Sequence, residues 1–223
     1  MHPVSKMKEI RNPDVTITKM SPLIIEDEHY TKAFGIITLE QGGYIEILVD
    51  CSFTIDELVK VDGEASKSPD IIVKGIDGNV GKHGENGEEG KLGAICEIVI
   101  ENLKSDLNVH VYGGGEGGLG GLGGDGGKGG DGSYGANGGN GGDGQEGTFG
   151  GNGGSGGVLT ITYKTENESQ VIGKELCSLG GEAGIAGRGG AGGSGKCNGH
   201  NGKEGRKGIR GDVGGRGTLI IKE

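Results

Sequence analysis

Gly123-Gly124-Asp125-Gly126-Gly127-Lys128-Gly129-Gly130-Asp131 carries the pattern that decides the fold: two glycines and one other residue, repeated without a slip. It belongs to a longer run in which every third position from Gly114 to Gly156 is glycine. The next register is mostly glycine too, broken by Ser133, Ala136, Gln145 and Thr148, and the last register, from Glu116 to Ser155, contains none. Two further runs keep the period, from Gly75 to Gly93 and from Gly181 to Gly217, where Lys196 is the one interruption. Of the 56 glycines, only Gly35, Gly42, Gly43 and Gly63 precede residue 75. A flexible glycine linker would not sort its residues in this way.

A period of three points to an extended threefold coil of the polyproline-II kind, which has no internal hydrogen bonds. Its N–H and C=O groups must then find partners on neighbouring passes. Bare glycine edges let backbones come close enough for that, and a dense lattice is needed to offset the extra ordering cost of glycine, about 0.5–1 kcal/mol per residue relative to alanine. The middle run would reach roughly 130 Å if straight, at about 3.1 Å per residue, so it must fold back in short antiparallel passes. The bulky triplets around Ser133, Tyr134, Ala136 and Asn137, and around Gln145, Glu146, Thr148 and Phe149, are expected at turns or tips.

Between and before the runs lie short β-branched segments: Val15–Thr18, Phe34–Leu39, Tyr44–Val49, Ile71–Val73, Cys96–Ile100, Asn108–Tyr112, Val158–Lys164 and Thr218–Lys222. Their composition and partial alternation predict strands. Thr54 with Glu57 has the spacing of a capping box and predicts a short helix through Lys60. The expected fold class is mainly β plus a polyglycine-II helix bundle, with antiparallel short strands anchoring the glycine helices. A β-rich base is expected over residues 1–68 and the glycine-rich part over residues 69–223, with the polar stretch Asp62–Ser68 as boundary.

Four prolines and no tryptophan argue against collagen and against a bulky core. No apolar run approaches the length of a membrane helix, and Met1-His2-Pro3-Val4-Ser5 shows no signal-peptide core. A net charge of −10 disfavours nucleic acid and anionic membranes as partners, and without a long apolar run no membrane insertion is expected. Cys51, Cys96, Cys177 and Cys197 fit no zinc spacing. Small buried side chains are one reading of them, and a Cys177–Cys197 disulfide is the other. The near P-loop at 190–197 has cysteine where magnesium needs Ser or Thr, and no helix pattern follows it. No metal, cofactor or catalytic constellation is expected, so the chain reads as non-enzymatic. Between Arg188 and Arg216 basic residues dominate. Lys203, Arg206, Lys207 and Arg210 form a candidate anion-binding edge, unless packing against the acidic middle run neutralises them.

The triplet runs resemble those of the polyglycine-II sandwich proteins: the glycine-rich tip adhesins of T-even-like phage tail fibres, snow-flea antifreeze protein and the glycine-rich domain of Obg-family GTPases. A bacterial group of glycine-triplet proteins of unknown role is similar as well. The adhesin resemblance implies receptor specificity in connecting loops, and so assigns ligand binding to Tyr134, Asn137, Gln145, Glu146 and Phe149. The function expected is a binding or display module for a surface receptor or glycan, with residues 1–68 free to meet another protein. The alternative is a purely structural component or spacer of a surface or virion assembly. Ice binding and a collagen-like trimer are weaker readings, opposed by the charged third register and by the lack of proline. Virion-associated or cell-surface placement by non-classical export is the expectation; a cytoplasmic location is the alternative the sequence leaves open.

Overall fold

The computed structural model describes residues 12–27, 30–61 and 68–223. Its strands are β1 (Val15–Ile17), β2 (Leu23–Ile25), β3 (Tyr30–Leu39), β4 (Ile45–Ile47), β5 (Cys51–Lys60), β6 (Ile71–Val73), β7 (Ile95–Ile100), β8 (Leu107–Tyr112), β9 (Val158–Tyr163), β10 (Val171–Leu176) and β11 (Thr218–Lys222). Odd-numbered strands form a six-stranded sheet and even-numbered strands a five-stranded one, each in sequence order. All the strand ladders are parallel. The chain therefore alternates between sheets, and one strand from each makes a coil. The base is a two-faced parallel β-solenoid.

Alternation selects the inner face. In β5, Cys51, Phe53 and Ile55 are buried while Ser52, Thr54 and Asp56 are exposed. Successive coils stack like residues: Phe34 partners Ile55, Ile55 partners Ile100, and Ile100 partners Tyr163. All four are buried in the single core between the sheets. Each fully buried aliphatic side chain contributes about 1.5–3 kcal/mol.

The expected fold class is overturned. The strands are parallel and lie in two sheets, and the described residues contain no helix. The Thr54–Glu57 helix is likewise replaced, because β5 runs straight through it. Pairing of β5 with both β3 and β7, and burial of Phe53, Ile55 and Leu58 against the core, outweigh the capping signal and the short apolar set Ile55, Leu58 and Val59 at helical spacing. Most of the proposed boundary, residues 62–67, lies outside the described residues. The ladders join the two sides of it, β4 to β6 and β5 to β7.

The coil repeat is uneven. Paired residues are 22 and 21 positions apart in the first coils (Val15 with Ile37, Tyr30 with Cys51). They are 45, 63 and 60 apart in the later ones (Cys51 with Cys96, Cys96 with Leu159, Val158 with Thr218). The excess is the glycine-rich segments. After β6, β8 and β10 the chain leaves the solenoid, runs out and back as a hairpin, and re-enters at β7, β9 and β11. Three hairpins give six extended passes, over residues 75–83, 85–93, 113–133, 136–156, 178–194 and 198–217. These are passes 1 to 6.

Outgoing passes bond to outgoing passes: Gly78 N–H to Glu116 O, and Gly117 N–H to Leu179 O at 2.9 Å. Returning passes bond to returning passes, as in Gly87 N–H to Phe149 O and Gly144 N–H to Lys203 O. Antiparallel bonds tie the two layers, for example Gly118 N–H to Glu88 O and Gly139 N–H to Gly130 O, both 2.8 Å. Each series advances three residues at a time. The result is a two-layered sandwich, three passes per layer, continuing the two sheets.

Glycine content per triplet reports how many neighbours a pass has. Passes 3 and 4 lie in the middle and carry two glycine registers. A Cβ on Gly117 would run into the Gly151 carbonyl, and one on Gly118 into the Asn79 carbonyl. Pass 6 lies at an edge, and apart from Gly215 only its inward register is glycine: Gly199, Gly202, Gly205, Gly208 and Gly211 face pass 4 carbonyls. The register that is glycine in pass 4 becomes Asn198, Asn201, Glu204, Lys207, Arg210 and Val213 here. Two hairpin turns use one device. Glu85 N–H returns to Lys82 O, with Gly84 at φ 76°; Ala136 N–H returns to Ser133 O, with Gly135 at φ 82°. Both third positions have the positive φ of a type II turn, where glycine is unstrained.

Candidate functional site

The distal end of the sandwich is built by the second and third hairpins together. Lys196 N–H bonds to Ala136 O at 2.8 Å, and Gly138 N–H to Cys197 O at 2.9 Å. The turn at 133–136 and the segment 194–198 thus form one composite tip. Tyr134 stands fully exposed there, and Asn137 and Lys196 are exposed beside it.

Side chains of the third register reinforce the tip and the faces below it. An Asp or Asn on one pass accepts the N–H of the matching residue on the next parallel pass. Asp77 takes Glu116 N–H, Asn86 takes Phe149, Asp125 takes Arg188 and Asp131 takes Ser194. In the layer of returning passes, to which Asn86 and Phe149 also belong, Asn140 takes His200 N–H, Asp143 takes Lys203 and Asn152 takes Asp212. These N–H groups lie outside the glycine-to-carbonyl series, so the short carboxylates and amides complete the lattice. The exposed Asp77, Asp125, Asp131 and Asp143 are therefore structural acceptors.

Asp131 is the outermost of these acceptors in its layer. It takes the Ser194 N–H at 2.8 Å and hydroxyl at 2.7 Å, with Lys128 Nζ at 3.2 Å. The Ser194 backbone, then its hydroxyl, then Lys128 hold the carboxyl down at about 2. A depressed folded-state value means the contact is at full strength above the ordinary range near ~3.9. It is lost as pH falls through about 2. Carboxyl-carbon NMR is expected to report an Asp131 midpoint of about 2, with the Ser194 amide shift moving in step. A midpoint in the ordinary range would contradict the contact.

The five residues assigned by resemblance are divided. Tyr134 and Asn137 are at the tip. Gln145, Glu146 and Phe149 are not at a turn: they lie along pass 4, whose backbone keeps its three-residue bonding through Gly144, Gly147 and Gly150. Their bulk marks the place where the shorter first hairpin ends. Thr148 Oγ1 and Phe149 N–H bond to Glu85 O and Asn86 Oδ1 near its turn. The basic residues are divided as well. Lys203 and Arg206 share the outer face with Asp143 and Glu146 of pass 4, while Lys207 and Arg210 occupy the outward register of the edge pass. Arg210 Nε pairs with Glu182 at 3.3 Å.

Of the two readings of the cysteines, the Cys177–Cys197 disulfide is not seen, and small buried side chains describe Cys51 and Cys96 alone. The other two are free and exposed, Cys177 at the root and Cys197 at the tip of the third hairpin. The close pair is Cys51 with Cys96, both buried. Nothing in the spacing disclosed it, because the 45-residue offset includes a hairpin. Sequence reading also missed an open, largely apolar cleft of about 720 Å³ at the root of the first hairpin. Leu48, Val49, Ile76, Leu92 and Ile95 line it, with Asp50 and Lys91 as polar members. Among the described residues no cluster of three or more His, Cys, Asp or Glu side chains is arranged to hold a metal ion. No helix among them is long and apolar enough to cross a membrane. Comparison with family models, with curated proteins and with solved structures returned no match.

Proposed function

We propose that this chain is a non-enzymatic display module that presents a rigid tip to a surface receptor or glycan. The observation that carries this reading is Tyr134, a fully exposed ring on the turn of the longest hairpin. An unsupported aromatic at such a position gains little for the fold, whereas its face supplies rigid contact area at low entropic cost. Asn137, Lys196 and Asn198 surround it with amide and ammonium donors suited to hydroxyl-rich or anionic ligands. The lattice behind the tip supports the reading too, since a turn held by two hairpins loses little freedom on binding.

A glycan array and a cell-binding assay with Tyr134→Ala test it. Loss of at least about tenfold in binding is expected, since truncated aromatic hot spots cost about 2 kcal/mol or more. Unchanged binding would remove the tip from the account. The remaining reading would be a spacer or assembly component, for which the charged edge of pass 6 is the relevant surface.

A further inference from the structure

We infer that Cys51 and Cys96 are a redox pair that closes a disulfide between two neighbouring coils of the solenoid. Cys51 opens β5 and Cys96 lies in β7, and the two are direct partners in the ladder. Their Sγ atoms lie 2.6 Å apart. Partnered residues of adjacent strands sit about 4.8 Å apart, within the Cα separation of about 4.4–6.8 Å that disulfides span. Being in register, both side chains point to the same face, the core, where Cys51 is 9% and Cys96 2% exposed. One position earlier on each strand, Asp50 Oδ1 accepts the Ile95 N–H at 2.7 Å and clamps the same two segments. The bridge can therefore form with the backbone where it stands.

The chemistry is thiol–disulfide exchange with an external disulfide, either glutathione disulfide or a protein disulfide. Cys51, the more exposed thiol, attacks as the thiolate, releases one external thiolate and forms a mixed disulfide. Cys96 then attacks the Cys51 sulfur and releases the second. The pair loses two protons and two electrons, and the external disulfide becomes two thiols. The hydrogen bond with Cys51, together with burial, holds the Cys96 thiol far above its ordinary range. Exchange inside the assembled coil is therefore slow, and closure is fastest while β7 is docking on β5. The closed loop includes the whole first hairpin, so the bridge fastens its root. Cys177 and Cys197, at opposite ends of the third hairpin, cannot substitute for this pair.

The test uses the full chain, unfolded and refolded with either reduced glutathione or a mixture containing glutathione disulfide. After oxidation the intact mass is expected to fall by about 2 Da, the two hydrogens of a closed bridge. The denatured protein should then offer two alkylatable thiols in place of four. Peptide mapping should join Cys51 to Cys96. The thermal midpoint should rise on the order of 10 °C over the reduced form, because a bridge closing a long loop constrains the unfolded chain. Cys177→Ser/Cys197→Ser should behave as the parent does, and Cys51→Ser/Cys96→Ser should lose all dependence on glutathione disulfide. Four free thiols after oxidative refolding, glutathione adducts without a bridge, or a Cys177–Cys197 crosslink would each overturn the inference. Mapping on the parent chain decides the matter even if the serine variants fold poorly.

Discussion

Gly118→Ala is expected to cost about 3 kcal/mol or more of folding stability, at the upper end of what overpacking does. Gly127→Ala, in the same register three triplets further out, is expected to gain about 0.5 kcal/mol. The two glycines look alike in the sequence. At Gly118 a methyl group would collide with the Asn79 carbonyl of pass 1, and that oxygen belongs to a backbone already bonded to pass 2. Moving it would break bonds in both layers. At Gly127 a methyl group meets nothing within 4 Å, because the first hairpin has ended. There alanine only reduces the freedom of the unfolded chain. Urea unfolding of both variants measures the contrast. Equal effects at the two sites would show that the passes do not pack as described.

Ile100→Ala should destabilise the solenoid by about 3 kcal/mol, within the roughly 2–5 kcal/mol of buried Ile-to-Ala changes. Ile100 is fully buried, between Ile55 on one coil and Tyr163 on the next. The hole it leaves is bounded by sheet on both sides, so neighbours have little room to collapse. Ile95→Ala on the same strand is the control. Ile95 is 59% exposed beside the cleft, and the change should stay within about 0.5 kcal/mol. Denaturation midpoints of the two variants suffice. A cost at Ile95 equal to that at Ile100 would mean that the cleft is closed by something packed into it.

Much of this architecture can be read from residues, and the rest is hidden for identifiable reasons. The Gly-Gly-x register marks where chains lie bare against each other, and β-branched alternation marks most of the strands. Strand direction is hidden, because a parallel solenoid announces itself by a constant repeat and here the repeat runs from 21 to 64 residues. β2 escapes because it is three residues long and follows Pro22. β10 escapes because Gly173, Lys174 and Glu175 interrupt its apolar pattern. At the tip, Ser133-Tyr134-Gly135-Ala136 reads as a turn and is one. Gln145-Glu146 with Thr148-Phe149 has the same bulk for a different cause: a neighbouring pass stops there, and side chains regain space. The partnership of Cys51 with Cys96 depends on register between coils, which no local pattern encodes.

All three hairpins leave the stack at the same corner, yet they differ in length, and both sheets stay in step around them. Reach and scaffold are thus uncoupled. Adding one triplet to each limb of a hairpin would lengthen it by at most roughly 11 Å, three extended residues at up to about 3.6 Å each, without a change in the stack beneath. The span of each hairpin is thus counted in triplets, while its anchorage stays constant.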